Sequence, residues 1–203
     1  MNIFLYLSGP DEKKMAVAVK LMTETTVSYA RLADLIHEAF AERTAQGLRF
    51  TCSSMSAEEL EDDMKDGFVF VALEEETLEL LGTATIHIKT DRRGRKFARH
   101  EYLAIRPGAK RSGIGTFLAQ TWTNFLLEKG VSYVMSDTAC KAASSVKWHR
   151  KNGFMIYGLK SFSSTNYLSY IFIKYLDDSV RKSRFAVALH FLGSALRYFF
   201  RFQ

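Results

Sequence analysis

The segment Tyr102-Leu-Ala-Ile-Arg-Pro-Gly-Ala-Lys-Arg-Ser-Gly-Ile-Gly-Thr-Phe117 decides the fold. A strand runs through it into a glycine-bearing turn, and the turn opens an amphipathic helix. The start of such a helix offers unpaired N–H groups and the positive end of the helix dipole, a natural cradle for phosphate. Gly113 and Gly115 let a ligand approach the backbone with no Cβ in the way, and Lys110 and Arg111 add two cations at the mouth. Two familiar phosphate loops do not fit. Walker A ends in Gly-Lys-Ser/Thr, whereas Gly113 is followed by Ile114 and Gly115; the dinucleotide fingerprint needs a third glycine where Leu118 stands. From the loop alone, a phosphate cradle and a tight structural turn are equal readings.

Working outward, residues 112–127 carry Ile114, Phe117, Leu118, Thr121, Trp122, Phe125 and Leu126 at helical spacing. A strand at 131–135 follows, then a helix at 143–151 stopped by Asn152 and Gly153, and closing strands at 154–162 and 169–176. Ahead of the loop lie strands at 68–73, 80–88 and 97–105, the last two joined by a polar turn with Asp91 and Gly94. Further upstream, a strand at 16–22 and capping residues at 23–26 precede a helix whose apolar face is Leu32, Leu35, Ile36, Ala39 and Phe40. Ser56 with Glu59 three residues later marks a second helix start. This order predicts an α/β (α+β) domain over residues 16–176, with one mixed, largely antiparallel central sheet flanked by helices. Residues 1–15 read as an N-terminal extension and 177–203 as a basic amphipathic helical tail.

Composition narrows the classes. The chain has 203 residues, 47% hydrophobic and 25% charged, with only 2 Pro, which excludes collagenous, low-complexity and wholly disordered readings. Cys52 and Cys140 make no disulfide framework and no zinc spacing, so a reducing, cytoplasmic setting and no metal are expected. No apolar run approaches the roughly 18–20 residues of a membrane span, and the apolar start of the chain makes a poor signal peptide. A formal net charge of +6 suits anionic partners.

Lys110-x-x-Gly113-x-Gly115 after a strand, with His149-Arg-Lys-Asn-Gly153-Phe154 some forty residues on, resembles the GNAT superfamily of acyl-CoA-dependent N-acyltransferases. The resemblance spans residues 16–176. It implies a transferase that uses acetyl-CoA, or a related acyl-CoA, as co-substrate. In that family the loop binds pyrophosphate and the preceding strand pairs with the pantetheine arm. Carried over, this gives Leu103, Ala104, Ile105, Lys110, Arg111, Ser112, Gly113, Ile114, Gly115 and Thr116 as cofactor-binding residues. Three positions depart from the usual pattern. Lys110 stands for Arg or Gln, and His149 stands where many relatives carry a tyrosine. Ala142 stands where an asparagine is frequent.

The implied chemistry is direct acyl transfer from a thioester to a primary amine. The ammonium must lose a proton, the carbonyl oxygen needs an N–H donor, and the departing thiolate is helped by an acid. Glu101 is the candidate base, with a solvated strand carboxylate paired with Arg99 or a neighbouring Lys as the alternative. A main-chain N–H at Leu103 or Ala104 is the candidate oxyanion donor. His149, in the tyrosine position, is the candidate acid, against a structural role; Tyr102 and Tyr157 are reserves. Cys140 reads as a free thiol. The acceptor is a small molecule or peptide, and its specificity is expected from residues 45–54 and 161–169.

The cluster Lys89, Arg92, Arg93, Arg95, Lys96 and Arg99 reads as a solvated hairpin, with no nucleic acid expected. In the tail, Phe185, Val187, Ala188, Leu189, Phe191, Leu192, Ala195, Leu196, Tyr198, Phe199 and Phe202 share a broad helical face, opposite Lys182, Ser183, His190, Ser194, Arg197 and Arg201. Such a helix packs on its own domain or a second copy, or lies in a membrane interface. The alternatives to a cytoplasmic enzyme are therefore a non-catalytic acyl-CoA-binding scaffold and a peripheral membrane-surface enzyme acting on an envelope amino sugar or lipid-linked acceptor.

Overall fold

The computed structural model describes residues 4–8 and 14–200. The elements are β1 (Phe4–Ser8), β2 (Lys14–Leu21), α1 (Tyr29–Ala45), α2 (Ala57–Met64), β3 (Phe68–Glu74), β4 (Leu80–Thr90) and β5 (Lys96–Ile105). They continue with α3 (Ile114–Glu128), β6 (Tyr133–Ala139), α4 (Ala143–Lys151), β7 (Met155–Ser161), β8 (Leu168–Tyr175) and α5 (Arg184–Phe200). Eight strands form one sheet in the order β1-β2-β3-β4-β5-β6-β8-β7. Every pairing is antiparallel except β5 with β6. The fold is the mixed, largely antiparallel α/β arrangement that the sequence predicts.

Alternation along β3 explains why the sheet is covered on both faces. Val69, Val71 and Leu73 join Leu32, Leu35, Ile36, Phe40 and Leu60 of α1 and α2. Phe70 and Ala72 join Ile114, Leu118, Trp122 and Leu126 of α3, with Phe154 and Phe172. A strand buried on both faces reads as an unbroken apolar run, as Phe68–Glu74 does.

Helix starts follow local chemistry. Ser56 accepts from the Glu59 amide while the Glu59 carboxylate accepts from the Ser56 amide, a full capping box. For α1 the cap is Ser28, whose hydroxyl accepts from the Arg31 amide, rather than the threonines at 23–26. The N-cap of α4 is Ala142, which offers no side-chain cap.

Two segments differ from expectation. Residues 1–15 are not merely an extension, because β1 within them pairs with β2 and forms one edge of the sheet; a five-residue edge strand draws its hydrogen bonds from a neighbour, which no local pattern reveals. In the tail, the broad apolar face is split. α5 turns Val187, His190 and Ser194 toward β7 and leaves Phe185, Leu189, Leu192 and Leu196 exposed. The expected face residue Phe202 and its opposite Arg201 lie outside the described residues, as do residues 1–3 of the apolar start.

Candidate active site

The site begins where two strands stop pairing. β5 and β6 run parallel and register only at Phe97–Arg99 with Tyr133–Met135. Beyond that the strands part, and the β6-facing edge of β5 has no strand partner. The Arg106 amide donates to Leu81 O on β4 (2.9 Å), and Ala104 registers with Thr83. Alternation along the strand then directs the main-chain groups of Ala104 to β4 and those of Leu103 and Ile105 to the open edge. Ala104, expected to bind with its neighbours, is instead committed to β4 with its methyl buried.

A bulge shapes this edge. Thr83 registers with Ala104 and Thr85 with Glu101, so two residues of β5, Tyr102 and Leu103, oppose the single Ala84. Tyr102 absorbs the irregularity at φ +54°, the left-handed region that costs a side-chain-bearing residue about 1–2 kcal/mol. Its hydroxyl donates to Asp63 on α2, which anchors the strained residue.

At the apex of the parting, His100, Ser136 and His149 form a buried cluster. His149 Nδ1 donates to Ser145 O (2.8 Å), and its Nε2 lies 3.0 Å from Ser136 Oγ, whose hydroxyl also reaches His100 O at 3.1 Å. His100 Nδ1 lies 3.2 Å from the same hydroxyl. Burial pushes the His149 imidazole down to about 4 and His100 down to about 3, so both are neutral near pH 7. The His149 ring stacks on Phe172, centroids 4.3 Å apart. A neutral ring with both nitrogens engaged is a poor proton donor, which weighs against the expected acid.

Glu101 faces the cleft with both oxygens held. Oε2 meets His87 Nδ1 at 2.9 Å and Oε1 meets Arg99 Nη2 at 3.0 Å. Arg99 also reaches Asp137 Oδ1 across the parting, at 3.3 Å. Arg99 therefore points into the site instead of joining the solvated hairpin, where Arg95 pairs with Asp91. Burial, with a further push from Glu101, raises the Asp137 carboxyl, against the lowering effect of Arg99. His87, Asp137 and Tyr167 were not legible as site residues, because their meeting depends on strand register and loop docking.

The cleft has a volume of about 260 Å³ and is lined by Glu101, Tyr102, Leu103, Asp137, His149 and Tyr167, among others. Its roof is made by the two connections that the sequence assigns to specificity. Asn166 ties them, accepting from the Arg49 amide (2.9 Å) and donating to Gly47 O (2.8 Å). Burial raises the Tyr167 phenol, keeping it protonated. Cys52 also lines the cleft, but burial pushes its thiol up to about 12, and Cys140 is raised by the same cause. Neither is a thiolate at neutral pH. Tyr157 lies elsewhere, stacked on His190 of α5.

At the far end of β5 the glycine turn leads into the start of α3. Arg111 (φ +68°) and Gly113 (φ +101°) are left-handed, and Gly113 is the N-cap of α3. The first-turn amides of Ile114 and Gly115 point out of the helix end, the Thr116 amide donates to Gly113 O (2.9 Å), and Ser112 Oγ donates to Ala109 O (2.7 Å) to close the turn. A Cβ on Gly115 would sit 3.0 Å from Trp148 Nε1, a buried indole N–H with no acceptor. An anion at this helix start would satisfy that donor, so the residues present fit a phosphate-bearing thioester. Lys110 is not a free cation here: its ammonium lies 3.4 Å from Ala39 O and 3.8 Å from Glu42 on α1, whereas Arg111 is exposed. Among the described residues no cluster of His, Cys, Asp and Glu could hold a metal, and no helix is long and apolar enough to cross a membrane.

Comparison with known proteins gives the same frame. An acetyltransferase of the GNAT family from Staphylococcus aureus superposes with a TM-score of 0.61 at 13% identity, over 80% of this chain and 100% of that one. The structure of the NatC complex bound to Gag peptide and CoA gives 0.60 at 11% identity, over 78% and 98%. The ribosomal-protein-S18-alanine N-acetyltransferase from Escherichia coli gives 0.56 at 12%, over 83% and 97%. No curated protein matches the chain. A family model, described as the acetyltransferase (GNAT) family, matches residues 31–154.

Proposed function

The chain belongs to the acetyltransferase (GNAT) family, and from that premise we propose that it transfers an acetyl or short acyl group from acyl-CoA to a primary amine of a small molecule or peptide. The observation that carries the reading is the parting of β5 from β6, with a strand edge at its side and a helix N-terminus at its end. The thioester supplies an activated acyl group and a thiolate leaving group.

The residues divide the work. Leu103 and Ile105 offer main-chain donors and acceptors to the pantetheine amides, and the first-turn amides of α3 with Trp148 Nε1 hold the pyrophosphate. The Leu103 amide, on the open edge, is placed for the carbonyl oxygen that gains negative charge. Glu101, held by His87 and Arg99, accepts the amine proton directly or through a water. Tyr167 protonates the departing thiolate in place of His149. It lines the cleft as a protonated phenol, whereas the Tyr102 hydroxyl is committed to Asp63. Asp137, Glu101 and the hydroxyls of Thr165 and Ser164 give the acceptor end a polar wall, in which Arg43 and Arg99 balance the two carboxylates.

The test is acetyl-CoA turnover against a panel of primary amines, following free CoA thiol. Acceptor-dependent thiol release supports the reading. Calorimetric CoA binding without release over the whole panel overturns the enzymatic assignment, and absence of CoA binding overturns the site.

A further inference from the structure

α5 is docked by its polar side. Ser194 Oγ accepts from the Leu159 amide (3.0 Å) and donates to Phe191 O (2.8 Å). His190 Nδ1 hydrogen-bonds Tyr157 O (2.9 Å), and its ring stacks on Tyr157 at 3.9 Å. Gly158 permits the approach, since a Cβ there would lie 3.2 Å from Ser194 Oγ. Val187 completes the buried face at 4% exposure.

The opposite side is apolar. Phe185, Leu189, Leu192 and Leu196 are 73%, 52%, 55% and 56% exposed. At about 100° per residue these four fall within about 60° of one another and about 180° from Ser194, a stripe about 16 Å long. Burying a serine hydroxyl while leaving four large apolar side chains in water is the reverse of what packing on the domain selects. The stripe therefore calls for an occupant.

Charge selects which one. Residues 179–203 contain Arg181, Lys182, Arg184, Arg197 and Arg201 and no Asp or Glu. Arg184 and Arg197 are exposed and have no carboxylate partner among the described residues. A second copy docked on this helix would bring a second cationic set to the same seam, whereas anionic headgroups neutralise both arginines. We propose that α5 lies in the plane of an anionic membrane surface, with the Phe185–Leu189–Leu192–Leu196 stripe among the acyl chains and Arg184 and Arg197 at the headgroups.

Flotation of the full chain with phosphatidylcholine vesicles, with and without a quarter phosphatidylserine, tests this at about 0.1 M and about 0.5 M salt. The expected result is at least about tenfold more bound protein on the anionic vesicles, diminished at high salt. Leu189→Gln with Leu192→Gln abolishes binding without changing the melting temperature, since both side chains are exposed. Arg184→Gln with Arg197→Gln removes the preference for anionic lipid. Absence of flotation, or equal flotation of the leucine variant, overturns the proposal. So does a concentration-dependent dimer that the leucine variant abolishes, which would identify a second copy instead. CoA-thioester turnover without vesicles is unaffected by these variants, so the outcome is independent of the acyl-transfer reading.

Discussion

Glu101 meets a partner at each oxygen, His87 on one side and Arg99 on the other, and this fixes the carboxylate without covering it. Glu101→Gln preserves the shape: the amide oxygen turns to Arg99, which only donates, and the nitrogen faces His87. The variant keeps its fold but cannot accept a proton, so kcat falls by about 10²–10⁴ while CoA affinity by calorimetry stays constant. Unchanged turnover removes Glu101 as the base. Tyr167→Phe removes one hydroxyl from the cleft wall and leaves the ring contact with Phe50, at 4.8 Å, in place. Turnover drops by about tenfold or more, with the larger loss in kcat; equal kcat returns the phenol to a packing role. Glu101 and the glycine turn were legible because each sits within a short motif. The pairing of Arg99 with Glu101, two residues apart on β5, was legible too; His87 on β4 and Asp137 on β6 were not, because the sequence of one strand is silent about what register brings beside it.

At the scale of elements, α3 and α4 form one device. The helix start that exposes amides to an anion is kept open by Gly115, against which the Trp148 indole of α4 is packed. Gly115→Ala gains about 1 kcal/mol of helix propensity but needs Trp148 to move by a few tenths of an ångström, because its Nε1 is 3.0 Å from the new methyl. The two effects offset in stability and not in binding. The expected outcome is a nearly unchanged melting temperature, a shifted tryptophan emission and about tenfold weaker CoA binding. Equal affinity would separate the indole from the anion site. Elements with local signals were readable in this chain: the Ser56–Glu59 box and the Asn152–Gly153 stop are written within a few residues. β1 and the facing of α5 were not. Periodicity states that α5 has an apolar side, but only the notch at Gly158 on β7 determines that the other side is turned inward.

For the molecule as a whole, the neutral histidines at the apex join site geometry to stability. His100 and His149 titrate near about 6.5 in an unfolded chain, but burial holds them at about 3 and about 4 in the fold. The unfolded chain therefore binds more protons below pH 6.5, and stability declines as pH falls through that window. Above about pH 7 neither costs anything; at about pH 5 each withdraws about 2 kcal/mol. Asp91, held down to about 2 chiefly by Arg95, stays ionised throughout the interval. Asp137, raised by burial, acts with the opposite sign and offsets part of the loss at its acid end. Urea unfolding at about pH 7.5 and about pH 5 reads the difference. His149→Phe retains the stack on Phe172 and leaves the Ser136 hydroxyl its acceptor at His100 O (3.1 Å), so stability at neutral pH falls by about 1 kcal/mol, for the Ser145 carbonyl left without its donor. It should also roughly halve the slope with pH, since one of two titrating rings is gone. A wild-type curve flat from about pH 7.5 to about pH 5 would mean that the apex admits water and protons. The wedge at which β5 and β6 part would then not be the closed hinge on which the cleft depends.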